Sequence, residues 1–406
     1  MTDYRTRTLE TVLRSAVSRF RAVELTGPRQ SGKTTLLRHV FADTHAFVSL
    51  DDPLTAEEAR SDPRGFLARR PAPLIVDEFQ KAPDLARYIK IRIDESGDAK
   101  GLYILTGSEN LTISRTVSES LAGRVAVLRL LPLTVRELRG ESDSALPWES
   151  DEAREARPAS VVAMWEQLLR GYYPEVALNR SIDTATWYES YLETYVQRDV
   201  RSLRAIGDLS AFTAFLMALA ARSATVLDLS ALSRDIGISV NTAKAWLAVL
   251  EATYQVILLP AYSNNVGTRL AKRPRIYFMD VGMLCHLVGL ASIDHALRGP
   301  MAGQIVETAV VADIWKSYHH AGARPRMFYW RTSGGAEVDI VIETPTGLVP
   351  VEVKSASTAN RRMAEGIAHF RRRMTAQPVR GGWVVHPGET SVWLGDETVS
   401  LPYAHL

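Results

Sequence analysis

The sequence predicts an α/β protein whose first half forms a three-layered parallel sheet. Short apolar segments alternate with helical stretches between residue 22 and about residue 130, which is the pattern of parallel strands joined by helices. Polar residues follow the ends of these apolar segments, as expected where ligands bind at the carboxyl edge of such a sheet. With 406 residues, the chain is long enough for roughly two to four domains.

The elements of the first half can be predicted in chain order. They are a helix over 5–20, strands over 22–25 and 46–50, a helix over 55–69, a strand over 74–76, a helix over 84–96, a strand within 101–110 and a closing apolar segment over 125–138. Residues 140–160 are charged and lack apolar periodicity, which indicates a flexible connection. Helical patterns resume at 161, and the segment from about 281 begins helical and turns into hairpin-like strands.

The composition is typical of a soluble globular protein, with 46% hydrophobic and 23% charged residues. A formal charge of +2 means that any nucleic-acid surface must be a local patch. The single cysteine, Cys285, excludes an internal disulfide and suits a reducing compartment. No apolar run approaches the ~18 residues of a membrane helix, and the N-terminus does not read as a signal peptide. We therefore expect a cytoplasmic protein without membrane contact.

A glycine-rich turn joins the first strand to the next helix. Its residues are Gly27, Pro28, Arg29, Gln30, Ser31, Gly32, Lys33, Thr34 and Thr35. The two glycines allow the dihedral angles and the close approach that a loop around a polyphosphate requires. The helix N-terminus adds its dipole to the same anion site. We predict that Lys33 binds the β- and γ-phosphates of a nucleotide and that Thr34 ligates Mg²⁺.

Two acidic residues end the strand over 74–76. Asp77 is predicted to hold Mg²⁺, and Glu78 to orient or deprotonate the attacking water. The alternative is a helix cap or a solvated turn, but the upstream glycine-rich loop favours the functional interpretation. Ser108, just past the next strand, is predicted to sense the γ-phosphate or the water, with a plain turn serine as the alternative. No Asn-Lys-x-Asp guanine motif is present near the sheet, so ATP is favoured over GTP.

Arg124 is the best candidate for an arginine that neutralises charge on the transferring phosphoryl group. It would act within its own chain or from a neighbouring subunit, and the second case would require a homo-oligomer. The alternative is a surface arginine or a structural ion pair. Only the position of Arg124 in the fold can distinguish these roles.

A second group of charged residues lies in the last segment. Asp339 and Glu352 fall on adjacent predicted strands and can share one face, and Lys354 points the same way as Glu352. Two carboxylates binding Mg²⁺ and a lysine polarising a water suit phosphodiester hydrolysis. Glu307, on the preceding helix, could complete the metal shell. The alternative is the charged face of an ordinary hairpin.

Residues 226–262 have the pattern of a helix-turn-helix with a possible wing, the turn being at Gly237. The polar face of its second helix is predicted to contact DNA, although many such folds bind proteins instead. That face comprises Ser239, Asn241, Thr242 and Lys244.

Several motifs can be compared with known families as a set. They include LTGPRQSGKTTLL (25–37), LIVDEFQKAPDL (74–85), SLAGRV (120–125), RIYFMDVGML (275–284), FYWRTSGGAEVDIVIE (328–343) and VPVEVKS (349–355). Together they resemble those of prokaryotic AAA-type P-loop ATPases that carry a C-terminal restriction-endonuclease-like domain. The resemblance implies ATP binding and hydrolysis through the loop, Asp77 and Glu78. It also implies a nuclease-type core at Glu307, Asp339, Glu352 and Lys354.

The resemblance and the chain order together predict the domain organisation. The predicted units are an AAA-type ATPase domain over 1–140, a linker and helical region over 141–210, a winged-helix-like domain over 211–280 and a restriction-endonuclease-like domain over 281–406.

Overall fold

The structure is a computed structural model that describes residues 4–107, 120–149, 160–195, 208–263 and 272–406. The α-helices are α1 Leu9–Arg19, α2 Lys33–Phe41, α3 Pro53–Ser61, α4 Pro63–Arg69, α5 Leu85–Glu95, α6 Val135–Arg139, α7 Val161–Arg170, α8 Pro174–Leu178, α9 Thr184–Tyr195, α10 Leu209–Ala220, α11 Leu229–Ile236, α12 Val240–Ala252, α13 Val281–Leu287, α14 Ile293–Arg298, α15 Ala302–His320 and α16 Glu365–Arg373. The strands are β1 Ala22–Thr26, β2 Ala46–Ser49, β3 Leu74–Asp77, β4 Tyr103–Gly107, β5 Val125–Arg129, β6 Thr225–Val226, β7 Val256–Leu259, β8 Arg275–Phe278, β9 Met327–Arg331, β10 Glu337–Thr344, β11 Gly347–Val353, β12 Gly382–His386, β13 Trp393–Gly395 and β14 Thr398–Pro402.

The first half contains a five-stranded sheet in the order β2-β3-β4-β1-β5, and every neighbouring pair is parallel. This confirms the predicted parallel α/β sheet. Because the strands are parallel, their carboxyl ends lie at one edge. Thr26, Asp77 and Gly107 end β1, β3 and β4 at that edge. The loops that follow these strands therefore share one side of the sheet.

The predicted helix over 55–69 is wrong in one respect, because the structure has two helices there. Asp62 ends α3 and caps α4, accepting a 2.8 Å hydrogen bond from the Gly65 amide. Pro63 follows as the first residue of α4, where its missing N–H costs nothing. The Asp-Pro pair thus ends one helix and begins the next.

The second half combines helices with a three-stranded sheet and a six-stranded sheet. Strands β6, β8 and β7 form a three-stranded antiparallel sheet. Helices α11 and α12 are joined at Gly237, which adopts a left-handed φ of 79°. The remaining strands form a six-stranded mixed sheet in the order β13-β14-β12-β11-β10-β9, in which β9, β10 and β11 are the predicted hairpin-like strands.

The main hydrophobic core of the second half includes residues from Leu131 to Leu406, and smaller clusters lie beside the six-stranded sheet. Helix α15 crosses the main core, and its buried residues point in all directions, as expected for a helix enclosed by other elements. The helix packs against β8 and β11 and also against α1 and β5 of the first half.

The predicted boundaries at 140, 210 and 280 stay predictions, and part of the predicted linker, 150–159, lies outside the described residues. Within the described ranges, no helix is both long and apolar enough to cross a membrane.

Candidate functional site

The glycine-rich loop follows β1 at the carboxyl edge of the five-stranded sheet. Gly27 has a φ of 153°, and a Cβ there would lie 2.0 Å from the Leu130 carbonyl oxygen, so no other residue fits. Gly32 has a φ of 94° and directly precedes α2. The two predicted glycine positions are therefore those at which the backbone requires glycine. The loop brings the N-terminus of α2 to the site, as an anion site needs.

Lys33 is buried and turns back into the loop. Its Nζ donates hydrogen bonds to the carbonyl oxygens of Gly27 (2.9 Å) and Pro28 (2.8 Å). The ammonium group thus lies within the curve of the loop, close to the amide groups that would surround a phosphate.

Thr34 and Asp77 meet although they are far apart in the sequence. Thr34 Oγ1 donates a 3.1 Å hydrogen bond to Asp77 Oδ2. Asp77 Oδ1 is buried and has no hydrogen-bond partner among the described residues. Burial raises the pKa of Asp77 above its ordinary value, and the neighbouring Glu78 charge adds to the effect. A hydroxyl beside a partly unsatisfied carboxylate fits a hard cation such as Mg²⁺, which prefers oxygen ligands.

Glu78 adopts a left-handed conformation, with a φ of 54°. Its side chain lines a cleft of about 400 Å³ beside the loop. The cleft is lined by Arg29, Gln30, Gly32, Lys33, Thr34, Thr35 and Glu78 from the first half and by Tyr191, Thr194 and Tyr195 from α9. The tyrosines of α9 are buried, and the tertiary fold brings two of them beside the phosphate loop.

A second cleft of about 470 Å³ lies on the other side of the loop. It is lined by Tyr4, Arg5, Arg7, Gln30, Gly32, Thr35, Leu133, Pro174, Glu175, Leu178 and Asn179. Gln30, Gly32 and Thr35 line both clefts, so the two clefts adjoin each other at the loop.

Arg124 lies at the amino ends of the parallel strands, whereas the loop follows their carboxyl ends. It directly precedes β5, whose first residue, Val125, pairs with Ala22 at the start of β1. The length of β1, roughly 15 Å, therefore separates Arg124 from Gly27. Its guanidinium forms an ion pair with Asp94, with Nε 2.7 Å from Oδ1. The geometry contradicts action of Arg124 on its own chain's nucleotide, whereas action on a neighbouring subunit stays a prediction. Ser108 lies outside the described residues.

Arg7, which the sequence did not single out, connects the phosphate loop to the second half of the chain. Its Nη1 donates a 3.0 Å hydrogen bond to the Ser31 carbonyl oxygen of the loop, and its Nη2 donates a 2.7 Å bond to Leu131 O. Its Nε lies 3.1 Å from Oε1 of the fully buried Glu137. One side chain therefore contacts both the loop and the segment that follows β5.

Glu137 is the centre of this buried group. Its Oε1 lies 3.1 Å from Nδ1 of His320, and its Oε2 accepts a 2.9 Å hydrogen bond from the Thr134 amide. The Leu131 amide donates to Nε2 of His320, so the neutral ring carries its proton on Nδ1, facing Glu137. Burial alone would raise the pKa of Glu137, but Arg7 and His320 outweigh it and hold that pKa below its ordinary value. We call Arg7, Glu137 and His320 the buried triad.

Two further bonds join α15 to the same segment. Lys316 Nζ donates a 2.7 Å hydrogen bond to Leu133 O, and Asp313 Oδ1 accepts a 2.8 Å bond from the Val135 amide. The Thr134–Glu137 capping box at the start of α6 is a pattern that the sequence does contain, in the letters TVRE. It identifies a helix start, but it does not identify α15 as the partner.

The four charged residues predicted in the last segment lie together. Glu352 and Asp339 are on the adjacent strands β11 and β10, and Glu307 is on α15. Lys354 Nζ donates a 2.8 Å hydrogen bond to Glu352 Oε2, and the Val353 amide donates a 3.0 Å bond to Asp339 Oδ2. Burial and the Asp339 charge raise the pKa of Glu307 to about 8, and the same two causes raise that of Glu352 well above its ordinary value. We call Glu307, Asp339 and Glu352 the acidic cluster.

Arg275 from β8 reaches into the acidic cluster, which the sequence did not predict. Its Nη1 lies 3.1 Å from Glu307 Oε1 and 3.3 Å from Asp339 Oδ1, and its Nη2 lies 2.9 Å from Glu337 Oε2. The guanidinium also lies over the Tyr329 ring, 5.0 Å from its centroid. The only sequence signal for this role is an arginine at the start of an otherwise apolar strand.

Comparison with known families divides the chain into three matched segments. Residues 19–139 match the AAA domain family. Residues 162–294 and 302–406 match two domains of unknown function, DUF8612 and DUF4143. The first match supports an AAA-type ATPase domain over the residues that form the five-stranded sheet and the glycine-rich loop.

Among individual proteins, "Uncharacterized protein Rv2008c" of Mycobacterium tuberculosis is 28% identical over 393 residues, covering 96% of this chain and 82% of that protein. The Walker-type ATPase PABY2304 of Pyrococcus abyssi is 16% identical with a TM-score of 0.41, covering 70% of this chain and 99% of the other. The RuvB Holliday junction branch migration motor of Thermotoga maritima is 18% identical with a TM-score of 0.31, covering 65% and 94%. Structural likeness at these scores is too low to transfer a function.

Proposed function

We propose that this chain binds ATP and hydrolyses it at the glycine-rich loop, with Mg²⁺ as cofactor. The observation that carries the proposal is the 3.1 Å hydrogen bond from Thr34 Oγ1 to Asp77 Oδ2. It brings the hydroxyl of the loop to a strand-end carboxylate, which are the two groups that hold Mg²⁺ in phosphate-loop ATPases. The match of residues 19–139 to the AAA domain family supports the same function.

Each residue of the site would have a distinct role. Lys33 would leave its bonds to the loop carbonyls and bind the β- and γ-phosphates. Thr34 and Asp77 would hold Mg²⁺, which neutralises phosphate charge when it is bound. Glu78, whose side chain lines the same cleft, would orient and deprotonate the attacking water.

The second cleft would hold the adenosine. It adjoins the loop through Gly32 and Thr35, and it has apolar walls from Leu133, Pro174 and Leu178. An adenine ring needs such walls and a few polar groups at its edge. The nucleotide would then lie across the loop, with its base against α8 and its γ-phosphate against α9.

Lys33→Ala tests the proposed nucleotide site. Hydrogen bonds to a charged group contribute about 1.5–3 kcal/mol, so its loss is expected to weaken ATP binding roughly 10- to 100-fold. The measurement is titration calorimetry with ATP and Mg²⁺ on the full chain. Lys90→Ala, on the exposed surface of α5, is the matched control and should bind like wild type. Equal affinity in Lys33→Ala and Lys90→Ala would contradict the assigned site.

ATP hydrolysis would act as a switch on the second half of the chain. Arg7 contacts the loop at Ser31 and is paired with Glu137, which in turn lies against His320 of α15. A loop that rearranges around a nucleotide would therefore change the contacts of a helix that crosses the core of the second half. Coupling needs an element with two arrangements that both sites bias, and the buried triad is the candidate for it.

DNA is the proposed target of this switch. The second helix of the helix-turn-helix, α12, exposes Asn241 and Lys244 at its N-terminal end, where such helices contact bases and phosphates. Ser239 and Thr242 serve local structure, since Ser239 Oγ accepts a 3.0 Å hydrogen bond from the Thr242 amide and caps the helix. Asn241 and Lys244 are therefore the two residues of the predicted face that we propose as DNA contacts.

The second candidate function is a nucleotide-gated binding module whose nuclease-like half does not cut. The ion pairs from Arg275 to Glu307 and Asp339 favour it, because these carboxylates are two of the predicted catalytic groups. An active nuclease of the predicted type would instead use the acidic cluster to bind Mg²⁺ and Lys354 to polarise water.

A cleavage assay separates these two candidates. Wild type, Asp339→Ala and Lys354→Ala are incubated with single- and double-stranded DNA and RNA in Mg²⁺ or Mn²⁺. We expect no cleavage by wild type above that of the two variants. Cleavage by wild type that both substitutions abolish would instead support the nuclease.

A further inference from the structure

The backbone of Arg275 belongs to the three-stranded sheet, whereas its side chain reaches α15 and the six-stranded sheet. As the first residue of β8, it pairs with Val226 of β6 on one side and with Leu259 of β7 on the other. Its side chain then extends to carboxylates on α15 and β10, and the residue is only 6% exposed. A guanidinium in this position is a cation fixed among carboxylates.

Four of the six carboxylate oxygens of the acidic cluster accept hydrogen bonds from donors of the chain itself. Asp339 Oδ1 lies 3.3 Å from Arg275 Nη1, and its Oδ2 accepts from the Val353 amide. Glu307 Oε1 accepts both from Arg275 Nη1 (3.1 Å) and from the Tyr277 hydroxyl (2.7 Å). Glu352 Oε2 accepts from Lys354, as described above. A metal ion would have to displace several of these donors.

The acidic cluster as it stands does not fit a divalent cation. Mg²⁺ and Mn²⁺ need several oxygens directed at one point, and a guanidinium beside that point repels them. Across the described parts of the chain, no group of three or more His, Cys, Asp or Glu side chains could hold a metal ion. We propose that the Arg275 guanidinium takes the place of a divalent cation in the acidic cluster, so that no metal binds there while Arg275 is present. The inference does not depend on ATP hydrolysis in the first half.

Removal of the guanidinium charge should open the cluster to a metal. Arg275→Met keeps most of the side-chain length but leaves Glu307 and Asp339 without their shared cation. Buried carboxylates that lose their cationic partner destabilise the fold, because their negative charges are then uncompensated. A divalent ion can replace the lost positive charge. The variant should therefore gain a site that the wild type lacks.

The test is a titration of the full-length protein with Mn²⁺ alone, without nucleotide, in which free and bound Mn²⁺ are measured by electron paramagnetic resonance. Wild type is compared with Arg275→Met, with Arg275→Met combined with Asp339→Asn, and with Arg273→Met. Arg273 is the matched control because it precedes the same strand and pairs with the half-buried Asp228, 2.6 Å away. Any Mn²⁺ held at the proposed ATP site is common to all four proteins.

We expect Arg275→Met to bind one more Mn²⁺ per chain than wild type and Arg273→Met, and the double variant to lose it. If Arg275→Met folds but binds no more Mn²⁺ than wild type, the proposal is overturned. If Arg275→Met does not fold, wild type is compared with Asp339→Asn alone. Equal Mn²⁺ binding then supports the proposal, and an ion lost in Asp339→Asn overturns it.

Discussion

Glu78→Gln is expected to lower ATP turnover by about 10²- to 10⁴-fold and to leave ATP affinity within a few-fold of wild type. Glutamine keeps the shape and hydrogen-bonding reach of glutamate but cannot accept a proton from water. The left-handed backbone at Glu78, with a φ of 54°, costs of order 1–3 kcal/mol for a residue with a side chain. The fold maintains this conformation directly after Asp77, the last residue of β3, and Glu78 lines the cleft.

The measurement for Glu78→Gln is steady-state phosphate release, together with ATP binding by calorimetry. Glu95→Gln, at the exposed end of α5, is the matched control and should keep wild-type turnover. Turnover by Glu78→Gln above half of the wild-type rate would contradict its role as the base. Loss of both binding and turnover would indicate damage to the site, since Lys33 is expected to bind the phosphates and Thr34 and Asp77 to hold Mg²⁺ as in wild type.

The phosphate site could be predicted from the sequence because its determinants are local. Two glycines at fixed spacing, a lysine and a threonine all fall within nine residues, and the backbone at Gly27 and Gly32 requires the residues found there. Asp77 could be added because parallel strands bring their carboxyl ends to one edge. The same rule, applied to the start of β5, excludes Arg124 within one chain. The sequence placed Arg124 just before an apolar segment, but it did not show that this segment pairs in parallel with β1.

The long-range ion pairs could not be predicted in this way. Arg275 and Asp339 are 64 residues apart and lie on different sheets, and no periodicity connects them. The pairing of β10 with β11 puts Asp339 and Glu352 on adjacent strands, and alternation along each strand lets them share one face, which is why the acidic cluster itself was predicted. Whether a metal or an arginine neutralises that cluster depends on which other element packs against it.

The buried triad was missed for the same reason, and its disruption has the largest expected effect on stability. Glu137→Gln removes the negative charge that neutralises Arg7, and the side chains of both residues are almost fully buried. Removal of one partner of a buried ion pair costs about 3–5 kcal/mol, so we expect the free energy of unfolding to fall by about 3 kcal/mol. Urea denaturation measures this. Glu141→Gln breaks a half-buried pair with Arg139 and should cost about 1 kcal/mol or less.

Glu137→Gln should also disconnect the phosphate loop from α15, which distinguishes coupling from stability alone. In wild type, a non-hydrolysable ATP analogue is expected to change amide hydrogen exchange in the loop and in Ala302–His320, because Arg7 transmits the loop position to Glu137 and His320. In Glu137→Gln, exchange in the loop should still respond to the analogue, whereas exchange in α15 should not. An equal response of α15 in wild type and Glu137→Gln would mean that the buried triad stabilises the interface without transmitting the state of the nucleotide, and the switch would then need another path.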